Sequence, residues 1–228
     1  MIKYLQLPFH FDVQAMQEEL KKLSSYNWRL HYQKLQYEGE WSGLPLRSED
    51  GSLNNVYIST ATDPQYQNTE LLNNSTLFQQ ILSTFKCPLL AVRLLKLNAG
   101  AIIKEHRDAE LHFEKGEVRI HIPIVTNELV EFYLDKERIH LQEGECWYMN
   151  FNLPHAIHNK SEIDRVHLVI DAKVNDWVKE LFQQPSPNKK EIEEPDYDDA
   201  TKKQIITNLR SMNTETSNLM ADEMEKGS

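Results

Sequence analysis

Apolar and polar positions along the chain fall into two regimes. In the first, apolar residues recur at helical spacing. The run VQAMQEELKKL (13–23) carries them on one face, and Asp12 stands where an N-cap belongs. Residues 75–85 predict a second helix and residues 175–182 a third. In the second regime, short runs alternate or are rich in β-branched residues, with turn residues between them. LLAVRLLKLNAG (89–100) predicts a strand ending in the turn signal of Asn98, Ala99 and Gly100. VRIHIPIV (118–125) alternates, and EFYLDKERIHL (131–141) predicts a hairpin turning at Asp135 and Lys136. ECWYMNF (145–151) and RVHLVIDA (165–172) predict two more strands. Residues 24–62 mix Trp28, Tyr32, Tyr37 and Trp41 with polar positions, which predicts short strands and loops broken at Gly43 and Pro45.

Closely spaced strands with turns between them predict a mainly β fold with flanking helices, of jelly-roll or cupin type. The expected domain spans 1–184: helices and strands over 1–88, a β core over 89–172 and a closing helix over 173–184. Beyond it, QQPSPNKKEIEEPDYDD has linker composition. ATKKQIITNLRSM then places Ile205, Ile206, Leu209 and Met212 on one helical face. The 185–228 tail is read as a polar linker with a short helix, a docking or homodimer element or a partly ordered segment.

Composition narrows the function classes. The net charge is −10 over 228 residues, so nucleic acid is not the expected partner. Cys87 and Cys146 form no framework or C-x-x-C pattern, which points to a reducing compartment. No signal-peptide run opens the sequence and no stretch of membrane-spanning length occurs, so a cytoplasmic protein without membrane attachment is expected.

The chemistry is concentrated in histidines. Of nine, seven lie between His106 and His167. In EHRDAE, His106 and Asp108 are two apart, and on a strand they would share a face. With His155 of NLPHAIHN they would make two imidazoles and one carboxylate, the facial set of non-haem iron(II) oxygenases. His158 is the rival to His155. His112 and His140 are read as solvated loop residues and His167 as a strand residue with a structural hydrogen bond. Arg119 and Arg165 interrupt apolar strands, each followed two residues on by a histidine, His121 and His167. A charge on an inward face needs a partner, so these arginines either face solvent, pair with nearby acids or grip a carboxylate.

Taken together, KLNAGAIIKEHRD, VRIHIPIVTN, GECWYMNFNLPHAIHNKS and DRVHLVID resemble, in order and spacing, the aspartyl/asparaginyl β-hydroxylase family, which includes free-proline hydroxylases. The resemblance covers Leu94 to Asp171. It implies a double-stranded β-helix, iron(II), 2-oxoglutarate as cosubstrate, O2, and hydroxylation of an amino-acid side chain in a free amino acid or a peptide. It makes His106, Asp108 and His155 the metal ligands and Arg165 the residue for the distal carboxylate of 2-oxoglutarate. Arg119 and His121 match further positions near the cosubstrate. Arg47, Asn54, Asn55, Tyr57 and Arg107 are candidate substrate contacts. The competing readings are a related oxygenase that desaturates and a cupin-like binding or sensing protein without turnover.

Overall fold

The computed structural model describes residues 1–56, 64–108, 111–192, 197–212 and 214–226. The chain runs through β1 (Ile2–His10), α1 (Val13–Lys22), β2 (Arg29–Leu30), β3 (Tyr37–Glu38), β4 (Trp41–Ser48), β5 (Gln67–Asn68), α2 (Glu70–Asn74) and α3 (Thr76–Ser83). The core strands follow: β6 (Leu89–Leu97), β7 (Ile102–His106), β8 (Glu117–Val125), β9 (Val130–Leu134), β10 (Glu137–Ile139), β11 (Glu145–Met149), β12 (His155–Asn159) and β13 (Arg165–Lys173). Then come α4 (Asp176–Gln183), β14 (Lys189–Glu191), α5 (Asp199–Met212) and α6 (Glu215–Lys226). Ile2–Glu191 form one compact unit; Met1 with Ile192–Ser228 form another, in which α5 and α6 pair and Arg210 reaches Asp222 and Glu225.

The predicted helices begin at side-chain caps, of which Asp12 was the one expected. The Asp12 carboxylate accepts the Ala15 N–H, Ser75 Oγ accepts from Phe78 N–H, and Asn175 Oδ1 accepts from Val178 N–H, each satisfying an orphan donor of the first turn. The hairpin turns where expected: Asp135 and Lys136 both take positive φ, 49° and 64°, the mirror-image turn that matches strand twist. β1 was not among the predicted strands; its alternating burial is plain, but it pairs with β11 and β14, which lie far along the chain.

Two antiparallel sheets make up the larger unit, a double-stranded β-helix. The large one runs β14-β1-β11-β8-β13-β6-β4-β2, with β5 added on β4. The small one runs β10-β9-β12-β7-β3. The large sheet has two chemically different faces. On one, Leu5, Leu44, Leu46, Val92, Leu94, Val118, Ile120, Ile122, Leu168 and Ile170 pack with Met16, Phe78, Ile81, Leu82, Val178 and Phe182 of the helices. This apolar layer is the core that carries stability. Because the strand period is 2, the intervening residues Arg93, Arg119, His121, Arg165, His167 and Asp171 share the other face, and all are buried. Among the described residues, no helix is long and apolar enough to cross a membrane.

Leu168 is fully buried on the helix side. Leu168→Ala is expected to cost about 2–5 kcal/mol of unfolding free energy by lost burial and a residual cavity. Urea unfolding measures it, and the histidine side of the sheet should be untouched.

Candidate metal and anion site

The site begins with a bulge. On the β7–β12 ladder Ile103 pairs with Ile157, so regular pairing would set Glu105 opposite His155. One extra residue in β7 sets His106 there instead. Lys104 and Glu105 are both exposed, and the His106 and His155 rings stand 4.2 Å apart. Strict alternation could not have revealed this: the two-residue spacing of His106 and Asp108 does not act through one strand face, because β7 ends at His106. Asp108 lies beyond it, tied by its backbone N–H to the Phe151 carbonyl at 2.9 Å.

The three side chains converge. One ligand atom from each of His106, Asp108 and His155 lies within 4.8 Å of the others. His106 Nδ1 meets the Lys104 carbonyl at 2.8 Å and His155 Nδ1 the Leu153 carbonyl at 3.0 Å. A carbonyl only accepts, so both rings carry a proton on Nδ1, and the neutral form of each presents a bare Nε2 lone pair. His106 Nε2 stands 3.8 Å from Asp108 Oδ1. Burial, and then His106, push the His155 imidazole down to about 4, which keeps it neutral and able to ligate. Burial works to raise the Asp108 carboxyl, but the Arg119 guanidinium, with His155 and His106, outweighs it and holds the group below the usual carboxylate range.

Behind the triad lies a chain of buried charges. Arg119 Nε and Nη2 donate to the two oxygens of Asp171 at 2.6 and 3.1 Å, and its Nη1 donates to Asp108 Oδ2. Arg93 Nη2 donates to Asp171 Oδ2 at 2.8 Å. Strand pairing builds this, since β13 lies between β6 and β8 and sets Asp171 opposite Arg119. Arg119, expected near the cosubstrate, does line the cavity, yet its fork is spent on two carboxylates. Sequence reading passed over Arg93 and Asp171; each is a charge inside an apolar strand, the same signal that marked Arg119.

Arg165 is different. It is 2% exposed, and among the described residues no carboxylate pairs with it. Its Nη2 donates to His167 Nδ1 at 2.8 Å, while its Nε has no partner among the described residues. Burial lowers the guanidinium to about 9. Because arginine only donates, His167 Nδ1 is an acceptor, and its proton sits on Nε2. His121 Nδ1, 3.2 Å away, must therefore donate to the same atom, leaving His121 Nε2 as a bare acceptor. His106, Asp108, His155, Arg119, His121 and Arg165 border one cavity, walled by Trp41, Leu95, Ile103, Phe151 and Ile157. Trp41 carries His31 stacked on its far ring at 3.5 Å; burial pushes that imidazole down to about 3. His31 was not singled out in the sequence, where it sits in a short polar segment with no periodicity.

Other expected residues lie elsewhere. His158 is half-exposed beside Glu131. His112 is buried and bonded to Glu114 rather than solvated, because the short turn after it folds under the β1 end. Arg47 is spent on Asn68 and the Tyr66 carbonyl, Asn54 on Arg29, and Arg107 on the Asn152 carbonyl. Asn55, like these three, is not part of the cavity wall, and Tyr57 lies outside the described residues. Asn159 and Ser161 hold the loop before Arg165: Asn159 Nδ2 donates to the Leu97 and Ile163 carbonyls, and its Oδ1 accepts from Ser161.

Burial, the neighbouring Arg165 included, holds His121 and His167 well below the usual imidazole range. Each is neutral when folded but titrates near 6.5 when unfolded. The unfolded state therefore binds more protons as pH falls below 6.5, and stability is lost in that direction. The pair alone should cost about 2.7 kcal/mol per pH unit once well below 6.5. Urea midpoints of the metal-free protein at pH 7, 6 and 5 should fall accordingly, and a flat profile would contradict neutral burial of both rings.

Comparison with known proteins gives the family of the chain and supports its fold. The sequence profile described as aspartyl/asparaginyl beta-hydroxylase matches residues 10–174. L-proline cis-4-hydroxylase of Rhizobium meliloti (strain 1021) is 24% identical over 163 residues, covering 71% of this chain and 57% of that protein. The chain thus spans a little over half the length of that relative. A solved oxidoreductase of the 2OG-Fe(II) oxygenase family from Burkholderia pseudomallei aligns over 75% of this chain and 86% of its own, with TM-score 0.51 and 11% identity. At that identity the likeness speaks for the fold. The profile match, which spans well over half of the chain, shows that this chain belongs to the aspartyl/asparaginyl β-hydroxylase family.

Proposed function

We propose that this protein is an iron(II)- and 2-oxoglutarate-dependent hydroxylase of an amino-acid side chain. His106, Asp108 and His155 are its metal ligands, and Arg165 is the seat of the cosubstrate's distal carboxylate. The observation that carries this reading is Arg165, a buried guanidinium that has no counter-ion among the described residues and shares a cavity with three convergent ligand atoms. A charge withdrawn from water and left unpaired is costly. A dicarboxylate with one end on the metal and the other on Arg165 satisfies both halves of the cavity at once. The donor set fits iron(II): two imidazoles tied at Nδ1, which leaves Nε2 for the metal, and one carboxylate, their ligand atoms close together.

When bound, iron(II) supplies oxygen activation, coupling 2-oxoglutarate and O2 to succinate, carbon dioxide and a hydroxylated carbon. The protein's residues do the rest. The Lys104 and Leu153 carbonyls fix the two imidazole tautomers. Arg165, held by His167, orients the cosubstrate. His121 and Arg119 form the polar wall, and Trp41, Phe151, Ile103 and Ile157 exclude water. The likeness to L-proline cis-4-hydroxylase supports a small free amino acid as substrate, in keeping with a small cavity walled by side chains of both sheets. The cytoplasm is the compartment that free cysteines and this cosubstrate favour.

Succinate release from 2-oxoglutarate, measured with iron(II) across the free amino acids and short peptides, tests this. Wild type should form succinate, most strongly with one free amino acid. His106→Ala and Arg165→Met should reduce it by at least ~100-fold, the scale on which site ligands act. Arg165→Met should nevertheless leave the metal-free protein as stable or more stable, since an unpaired buried charge becomes apolar. No succinate under any condition would favour a binding module without turnover.

A further inference from the structure

We infer that Arg119 is a positioning residue that restricts Asp108 to one metal-binding oxygen, with Asp171 and Arg93 holding Arg119 in turn. This rests on the metal site proposed above. The two Asp108 oxygens are not equivalent. Oδ2 is taken by Arg119 Nη1, whereas Oδ1 is the oxygen that faces His106 Nε2 at 3.8 Å. A carboxylate using both oxygens would fill two coordination positions. With Oδ2 held by a guanidinium, Asp108 offers one, and the freed position stays open for cosubstrate or O2.

The orientation comes from a planar fork. Nε and Nη2 of Arg119 lie on the two oxygens of Asp171, which fixes the guanidinium plane and so the direction of Nη1. Asp171 cannot swing away, because Arg93 binds its Oδ2 from the neighbouring strand. The chain Arg93–Asp171–Arg119–Asp108 sets two cations against two carboxylates, so it is neutral overall although its inner members are buried. Asp108 needs such a hold. It stands past the end of β7, where its backbone N–H is tied to the Phe151 carbonyl.

A second reading of the same contact makes the opposite prediction. Arg119 carries a positive charge next to a site for a dication, so it could compete for Asp108 and weaken metal binding. Manganese(II) titration followed by electron paramagnetic resonance separates the two without turnover. If Arg119 positions, Arg119→Gln should bind manganese(II) about 10–100-fold more weakly, as losses of outer partners do. Arg119→Lys, which keeps the charge but loses the fork, should recover only part of this. Asp171→Asn should weaken binding less than Arg119→Gln, and Arg93→Gln least, following distance from Asp108. Circular dichroism of each metal-free variant establishes that it is folded, and Arg119→Lys carries the test where Arg119→Gln does not fold. Equal or tighter binding by the folded Arg119 variants overturns the inference. A wild-type protein that binds no manganese(II), or binds it equally after His106→Ala, overturns the metal-site reading itself.

Discussion

The carboxylate of Asp171, closed between Arg93 and Arg119, is the contact on which the polar face of the large sheet depends. Three charged side chains in the middle of a β-sandwich would each carry a desolvation cost of several kcal/mol if left alone. Paired across β6, β13 and β8, and joined by Asp108 as the second carboxylate, they become a neutral framework. That framework also reaches the functional cluster, because the last free edge of Arg119 ends on Asp108. The opposite face of the same strands needs no such device. It is hydrophobic throughout and packs on the helices, so stability is concentrated on one side and chemistry on the other.

The three arginines of this face divide by what they touch. Arg93 and Arg119 have carboxylate partners within the protein; among the described residues Arg165 has only a neutral imidazole. The difference separates the two cations neutralised within the protein from the one proposed above to take a ligand. His167 sharpens it. By accepting from Arg165 it holds the guanidinium without cancelling its charge, and by accepting from His121 it fixes that ring's tautomer as well. A carboxylate in place of His167 would have stabilised the empty pocket and spoiled it for an incoming anion.

Much of this was legible in the sequence. Strands 89–100, 118–125 and 165–172, the hairpin at Asp135 and Lys136, the helix cap at Asp12 and the closing helix after Asn175 follow from local pattern, and local pattern decides them. His106, Asp108, His155, Arg119 and Arg165 stood out because polar groups interrupted apolar runs or clustered with histidines. What stayed hidden depends on pairing between distant strands. The β7 bulge that sets His106 rather than Glu105 opposite His155 leaves no mark in composition. Nor could the strand runs alone say that Arg119 would meet Asp171, since that is a matter of register between β8 and β13. His31 reaches the cavity edge only through Trp41, a contact between two short segments with no period of their own.

The most direct measurement is the visible absorption of the protein titrated with iron(II) and 2-oxoglutarate in the absence of oxygen. A cosubstrate that chelates the metal while seated on Arg165 gives a weak charge-transfer band that needs both additions and saturates at one equivalent of each. We expect that band in the wild type, and its loss in His106→Ala and in Arg165→Met. A wild-type protein without the band, or a band that survives removal of Arg165, would contradict a single cavity built for a metal and a dicarboxylate together.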